Sequence, residues 1–312
     1  MADFAFVFPG QGSQSVGMLD AWGDHPAVRE VLEEASQALS EDIGRLIREG
    51  PKEALELTTN TQPVMLVAGI ACQRAWLAET GLSPAVVAGH SLGEYTALVA
   101  AGALTLSQAL PLVRLRAQAM QRAVPVGQGA MAAVLGLDAA EVDRVCAEVQ
   151  AQTGQVVSAA NFNDPRQTVI SGAKAAVDAA CEALKAAGAK RALPLAVSAP
   201  FHCALMKPAA DELKPVLQAT AFATPAIAVI NNIDVQAPRE AAAIRDALYR
   251  QAFGPVRWVE IVQAMQARGV SAIIECGPGK VLSGMVKRIA PELRTTTVLD
   301  PASLAQAREL LA

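Results

Sequence analysis

Short apolar runs that end in a polar loop and lead into a helical pattern restrict the possible folds of this chain most strongly. Each run has the length and composition of a buried β-strand, and Ala/Leu-rich helical segments separate them. The four clearest runs are Phe4–Phe8, Ala85–Ala88, Ile227–Ile230 and Ala272–Glu275, and three of the helical segments are 26–40, 205–219 and 257–268. This alternation predicts an α/β fold in which helices cover both faces of a parallel sheet.

One internal stretch, from about 130 to 197, has a different order. Apolar runs at 130–135, 155–159, 167–171 and 191–197 alternate with a helix after Asp138 and a helix over 173–187. The order β-α-β-β-α-β is typical of the ferredoxin-like arrangement. We therefore predict a small ferredoxin-like α+β subdomain at 127–197, inserted into a larger α/β subdomain made of 1–126 and 198–312. The Pro125–Gly129 stretch is a suitable entry hinge.

The composition argues against nucleic acid and membranes as partners. Of the 312 residues 52% are hydrophobic, and 26 Lys and Arg against 30 Asp and Glu give a net charge of -4. Because neither sign forms a long run, no nucleic-acid surface is expected. The apolar runs at 63–72 and 95–106 are shorter than the roughly 18 to 20 residues of a membrane span. We expect a soluble protein, and a monomer because no heptad or exposed apolar stripe stands out.

The cysteines and the N-terminus point to the cytoplasm. Five cysteines are scattered without a CxxC pair, which is typical of reduced thiols and not of a disulfide framework or a zinc site. No basic region precedes an apolar stretch at the N-terminus, so no signal peptide is predicted. Neither a metal nor a tightly bound cofactor is expected.

A serine between two glycines gives the first indication of chemistry. Gly89-x-Ser91-x-Gly93 lies between a predicted strand and a predicted helix, which is the context that a nucleophile elbow requires. In such a turn the Ser91 hydroxyl projects from the end of the sheet, and the amide of Leu92 at the helix start can donate to an oxyanion. The motif alone leaves a second interpretation open, in which Ser91 only caps the helix.

A serine nucleophile needs a base, and the chain has three histidines. His25 lies at a polar helix entry, and His90 adjoins Ser91 at a turn where neighbouring side chains diverge, so His90 is expected to pack or to contact substrate. His202 lies in a loop after the last strand of the small subdomain, where catalytic side chains often collect. Beside Ser91, a catalytic role for His202 is favoured over a structural one.

Several separated motifs give the chain its resemblance to a known family. They include 8–14 (Phe-Pro-Gly-Gln-Gly-Ser-Gln), 61–63 (Thr-Gln-Pro), 89–95 around Ser91, Arg116, 161–163 (Asn-Phe-Asn), the His202 loop and 275–280 (Glu-Cys-Gly-Pro-Gly-Lys). The chain resembles, nearly end to end, the malonyl-CoA:acyl carrier protein transacylases of type II fatty acid synthesis. In that family a large hydrolase-like subdomain carries a small ferredoxin-like one, which agrees with the order of elements along this chain.

The resemblance implies a Ser91–His202 dyad, with His202 oriented by the backbone carbonyl of Gln251. A buried Asp partner is the rival, and Asp164 is its best candidate, although a local Asn-Asp-Pro turn already explains that residue. The resemblance also implies that the amide of Gln11 joins that of Leu92 in an oxyanion hole.

The resemblance also concerns the choice of acyl group. The resemblance implies that Arg116 binds the free carboxylate of a malonyl group, since a guanidinium can form two parallel hydrogen bonds with a carboxylate. Without the resemblance, Arg116 would be taken for a solvated helix charge like Arg114. Gln62, His90, Asn161 and Phe201 are expected to line the substrate site. Many bacterial members have a serine where this chain has Phe201, and the larger ring should disfavour methylmalonyl.

The expected function is transfer of malonyl from malonyl-CoA to acyl carrier protein, through a malonyl-serine, in a ping-pong reaction of fatty acid biosynthesis. A polyketide pathway uses the same chemistry and stays open. A serine hydrolase is a rival function, since G-x-S-x-G and a histidine also serve esterases, and a non-catalytic subunit that docks carrier protein is another. Lys190 and Arg191 are candidates for meeting an acidic carrier protein.

Overall fold

The computed structural model describes residues 3–312, in which strands and helices alternate along most of the chain. In chain order the strands are β1 (Phe4–Phe8), β2 (Val86–Gly89), β3 (Gly129–Leu135), β4 (Val157–Asp164), β5 (Gln167–Ala173), β6 (Arg191–Pro194), β7 (Ala228–Ile230), β8 (Ala272–Cys276) and β9 (Arg294–Val298). The α-helices are α1 (Pro26–Leu39), α2 (Ile43–Glu49), α3 (Lys52–Glu56), α4 (Thr58–Thr80), α5 (Gly93–Ala100), α6 (Leu106–Ala123), α7 (Ala139–Thr153), α8 (Lys174–Ala186), α9 (Lys207–Ala219), α10 (Ala241–Gln251), α11 (Trp258–Ala267), α12 (Val281–Ile289) and α13 (Pro301–Leu311).

The larger sheet is parallel and has the strand order β7-β2-β1-β8-β9. All five residues of β1 are buried, because the strand lies in the middle of the sheet with helices on both faces. Phe4, Phe6 and Phe8 pack on one face, where Phe4 and Phe6 meet the ring of Trp76 edge-on, while Ala5 and Val7 enter a second core on the other face. The predicted α/β fold with a parallel sheet is confirmed.

One strand of this sheet was missing from the sequence-based prediction. Strand β9 pairs in parallel with β8 at the edge of the sheet. Its sequence, Arg-Thr-Thr-Thr-Val, lacks a continuous apolar run because an edge strand is only partly buried.

The smaller sheet is antiparallel, with the order β4-β5-β3-β6. Helices α7 and α8 pack against it around a core of their own. The capping side chain of Asp138 accepts a hydrogen bond from the Glu141 amide and begins α7. This order and connectivity confirm the ferredoxin-like arrangement, whereas the exact boundaries at 127 and 197 stay a prediction.

Backbone hydrogen bonds join strand β4 of the smaller sheet to the segment just before α11. The Phe162 amide donates to the Val256 carbonyl at 2.9 Å, and the Val256 amide donates to the Ala160 carbonyl at 2.8 Å. The last predicted run, 191–197, forms a strand only as far as Pro194, and 195–197 continues as a loop beside the junction. These bonds hold the smaller sheet against the rest of the molecule.

None of the helices within residues 3–312 combines the length and apolarity that crossing a membrane requires. Within the same range, no three His, Cys, Asp or Glu side chains converge as metal ligands would.

Candidate active site

Ser91 occupies a sharp turn between β2 and α5. Its φ of 53° lies in the left-handed region, which non-glycine residues seldom adopt. A Cβ on Gly89 would come within 1.9 Å of the Gly93 backbone, and one on Gly93 would come within 2.1 Å of the Phe8 carbonyl oxygen. Only glycines therefore let the strand and the helix pass this closely, as the elbow motif predicts.

The Ser91 hydroxyl points to His202 and does not cap the helix. Ser91 Oγ lies 2.6 Å from His202 Nε2, although the two residues are 111 positions apart in sequence. The helix begins at Gly93, with Leu92 at its cap. The interpretation in which Ser91 only caps the helix therefore does not describe this turn.

His202 is held by two backbone carbonyls. Its Nδ1 lies 3.1 Å from the carbonyl oxygen of Gln251 and 3.1 Å from that of Gly254, at the end of α10 and just beyond it. An imidazole that donates Nδ1–H to these oxygens presents an unprotonated Nε2 to the Ser91 hydroxyl. The expected orientation by the Gln251 carbonyl agrees with this geometry, and Gly254 supplies a second carbonyl.

The rival partner, Asp164, has other contacts. One carboxylate oxygen accepts the Arg166 amide at 2.9 Å, within the predicted local turn, and the other accepts Arg288 Nε at 2.6 Å. Asp164 is therefore engaged at the end of β4, while carbonyl oxygens face the His202 ring.

Burial keeps His202 neutral. The residue is 4% exposed, and desolvation, helped by the positive charge of Arg116, lowers the pKa of His202 to about 3. A neutral imidazole near pH 7 can accept a proton from a hydroxyl. The ring of His90 is turned elsewhere: its Nε2 lies 2.9 Å from Asn163 Oδ1, and it packs against Trp258.

Arg116 is buried at the same point. The side chain is 1% exposed, and its Nη2 donates to Ser91 Oγ at 3.1 Å. Nη1 donates to Gln62 Oε1 at 2.7 Å, and Nη2 also donates to Gln251 Oε1 at 3.1 Å. All of these acceptors are neutral oxygens, so the positive charge is not balanced by an ion pair. Arg114 instead bonds to Glu41 at 2.6 Å and to Asn60, as expected for the other face of α6.

A cleft of about 160 Å³ opens over Ser91. One side, the polar wall, consists of Gln11, Gln62, His90, Ser91, Leu92, Arg116 and His202. The remaining lining residues, the apolar wall, are Met131, Leu195, Val197 and Phe201, together with the polar Asn161.

The backbone amides of Gln11 and Leu92 at the polar wall donate to no acceptor within residues 3–312. Backbone donors that are left unpaired at a cleft can bind an oxyanion. Of the ten site residues expected from the sequence, nine line the cleft. The tenth, Gln251, lies behind it, where its carbonyl faces His202 and its side chain faces Arg116.

Sequence reasoning missed two residues behind the elbow and three on the apolar wall. Asn232 Oδ1 accepts the Ser91 amide at 2.7 Å, and Glu94 accepts the Asn232 amide at 2.8 Å. The position of Asn232 just after β7, the neighbour of β2, is the signal that could have found it. Met131, Leu195 and Val197 lack any chemical signature in the sequence.

Comparison with known proteins agrees with this geometry. The family model described as acyl transferase domain matches residues 5–300. The malonyl CoA-acyl carrier protein transacylase of Escherichia coli (strain K12) is 52% identical over 311 residues, 99% of this chain and all of that protein. This chain belongs to the same family.

Solved structures of the family superpose closely. The acyl-carrier-protein S-malonyltransferase of Burkholderia pseudomallei 1710b is 61% identical with a TM-score of 0.96, covering 98% of this chain and 99% of that one. A malonyl-transacylase in complex with its type II polyketide synthase acyl carrier protein is 51% identical, also with a TM-score of 0.96, covering 99% of this chain and 100% of that one. The Bacillus subtilis family member is 46% identical over the whole chain and 98% of its own.

Proposed function

We propose that this enzyme transfers the malonyl group of malonyl-CoA to the phosphopantetheine thiol of acyl carrier protein, through a malonyl ester on Ser91. The names of its relatives support the reaction. The observation that carries the proposal is the position of Ser91 Oγ, 2.6 Å from His202 Nε2 and 3.1 Å from Arg116 Nη2. A base and a carboxylate-binding cation thus meet at one oxygen atom.

The first half-reaction forms the ester. Nε2 of neutral His202 takes the proton of Ser91 Oγ, and this oxygen attacks the thioester carbonyl carbon. The amides of Gln11 and Leu92 hold the oxyanion of the tetrahedral intermediate. The carbon–sulfur bond then breaks, and His202 gives its proton to the departing thiolate of CoA.

The second half-reaction reverses these steps with a different thiol. His202 takes the proton of the phosphopantetheine thiol, and the thiolate attacks the carbonyl carbon of the malonyl ester. The bond to Ser91 Oγ breaks, and the proton returns from His202 to that oxygen. The carbonyls of Gln251 and Gly254 keep the ring in one tautomer through both halves.

Arg116 selects the acyl group. An acyl chain attached to Ser91 Oγ begins about one hydrogen-bond length from the guanidinium, so the terminal carboxylate of malonyl can pair with it. Acetyl leaves the buried charge unpaired, which disfavours that substrate. Gln62 orients the guanidinium, and Asn161 and Phe201 shape the space for the acyl chain.

The setting of the reaction is part of the proposal. We place the enzyme in cytoplasmic fatty acid biosynthesis as a monomer, with 127–197 as the inserted subdomain. Lys190 immediately precedes β6, and Arg191 is its first residue. Because β6 leads into the apolar wall, both side chains are proposed to meet the carrier protein near the cleft. The polyketide alternative has a specific observation in its favour, the malonyl-transacylase structure with a polyketide carrier protein.

The test is intact-mass measurement after incubation with malonyl-CoA. The enzyme is expected to gain the mass of one malonyl group, a Ser91→Ala variant none, and holo acyl carrier protein is expected to remove the adduct and become malonylated. Release of free malonate at the same rate with and without carrier protein would identify a hydrolase. Absence of the adduct would favour the docking subunit.

A further inference from the structure

A buried carboxylate lies directly behind the polar wall and takes no part in the steps above. Glu94 is in the first turn of α5 and is 2% exposed. Its Oε2 accepts two hydrogen bonds, from the Asn232 amide at 2.8 Å and from Gln251 Nε2 at 3.0 Å. Both donors are neutral and lie more than a hundred residues away in sequence. A carboxylate buried without an ion pair is costly, so its retention calls for a reason.

A favourable interaction with the N-terminus of α5 would be the simplest reason. The hydrogen bonds of Glu94 show that this interaction is not the whole explanation. They come from the end of α10 and from the loop after β7, and not from amides of α5. Glu94 therefore connects three parts of the chain that all reach the Ser91 turn.

The first connection reaches the turn through Asn232. The Asn232 side chain accepts the Ser91 amide at 2.7 Å and donates to the Gly89 carbonyl at 2.7 Å. It thus ties both sides of the elbow while Ser91 is held at positive φ. Glu94 accepts a hydrogen bond from the backbone amide of Asn232, which fixes the position of the Asn232 side chain at the elbow.

The second connection reaches Arg116 through Gln251. Gln251 Nε2 donates to Ser91 O at 2.9 Å as well as to Glu94, so both amide hydrogens are used. The amide oxygen is then left to accept Arg116 Nη2 at 3.1 Å. Because Glu94 Oε2 accepts this hydrogen bond whether or not the other carboxyl oxygen carries a proton, Glu94 decides which end of the Gln251 amide faces the guanidinium.

We infer that Glu94 is a positioning residue, which holds the Ser91 elbow and the Arg116 guanidinium in one fixed arrangement. It acts through two side chains, Asn232 and Gln251. The inference rests on the proposed function and deepens it, since the fixed arrangement is what lets one oxygen serve both the base and the carboxylate-binding cation. A positioned pair of this kind raises the rate only while both members keep their geometry.

The test measures kcat/KM for malonyl-CoA and for acetyl-CoA, and the ratio of the two. Glu94→Ala leaves the Gln251 amide free to turn, so the malonyl-to-acetyl ratio is expected to fall at least ~5-fold, with malonyl transfer reduced ~10-fold or more. Glu94→Gln keeps an acceptor oxygen at the same place and is expected to retain both values within about threefold. Loss of folded enzyme alone would lower both substrates equally and leave the ratio unchanged.

Two further variants show whether Glu94 acts through Gln251 or by general stabilisation. Glu94→Ala in a Gln251→Ala background is expected to change the ratio no further, because the link is already cut. Glu275 is a matched control, a fully buried carboxylate that accepts the amides of Leu282 and Ser283 away from the cleft. Glu275→Ala is expected to leave the ratio unchanged, whatever its effect on stability.

Clear outcomes separate the possibilities. An unchanged ratio in Glu94→Ala, additive effects in the double variant, or a Glu94→Gln enzyme as impaired as Glu94→Ala would each overturn the inference. If Glu94→Ala does not fold, Glu94→Asp takes its place, since its carboxylate is drawn back by one methylene. Wild-type enzyme that forms no malonyl adduct would contradict the proposed function instead.

Discussion

The two walls of the cleft are built differently. The polar wall is held by directional bonds that converge on Ser91 from α6, α10, the His202 loop and the loop after β7. The apolar wall has side chains such as Met131 and Leu195, which exclude water without fixing an orientation. Changes to the polar wall should therefore alter the reaction and the choice of acyl group. Changes to the apolar wall should alter the fit of the acyl chain and leave the choice between malonyl and acetyl unchanged.

The largest effect is expected at the base. His202→Ala removes the group that accepts the Ser91 proton, and kcat should fall by at least ~10³-fold. His25→Ala is the matched control, because His25 bonds Glu79 away from the cleft and should leave the rate unchanged. A His202→Ala enzyme with more than a tenth of the wild-type rate would contradict the assigned role.

The apolar wall can be tested at its bulkiest residue. Phe201 lines the cleft beside His202, where its ring limits the space for a branched acyl chain. Phe201→Ser should raise kcat/KM for methylmalonyl-CoA relative to malonyl-CoA by about 10-fold, a change comparable with adding or removing a methyl group in an apolar site. An unchanged ratio would show that another residue excludes the branch.

A smaller effect is expected at Leu195. This residue is 38% exposed at the cleft, so Leu195→Ala should raise KM a few-fold for malonyl-CoA and acetyl-CoA alike, through lost apolar contact. Leu193→Ala, at a neighbouring exposed position of β6 outside the cleft, is the matched control. A changed malonyl-to-acetyl ratio in Leu195→Ala would break the distinction between the walls.

Glu94, directly behind the polar wall, should also reduce the free energy of unfolding at high pH. Burial raises the pKa of Glu94 to about 7 from its ordinary 4.5, against the opposing hydrogen bonds of Gln251 and Asn232. The folded state then holds its proton more tightly than the unfolded chain. The stability contributed by protonation is complete below pH 4.5 and is lost as the pH rises through 7.

Glu94→Gln should therefore gain thermal stability over wild type as the pH is raised from about 4.5 to about 8.5. The gain has an upper limit of about 3 kcal/mol, or a few degrees in Tm. Glu30→Gln, on the exposed side of α1, controls for loss of one negative charge. Parallel Tm curves for wild type and Glu94→Gln would contradict the raised pKa.

The sequence predicted the parts of this molecule that carry local signals. The Ser91 turn was predictable because tight packing requires glycines at 89 and 93, and the order of apolar runs indicated the ferredoxin-like insertion. Asn232 and Glu94 were missed because their hydrogen bonds join residues far apart in sequence. Strand β9 was missed because its position at the sheet edge tolerates a polar sequence.

The central claim is that one buried cation beside the Ser91 oxygen makes the enzyme choose malonyl. It is tested most directly by the malonyl-to-acetyl ratio of kcat/KM in Arg116→Ala, with Arg114→Ala as the control, since Arg114 lies on another face of α6 and pairs with Glu41 outside the cleft. Loss of the buried charge should lower the ratio on the order of 10²-fold, while Arg114→Ala keeps it. A wild-type ratio in Arg116→Ala would contradict the account.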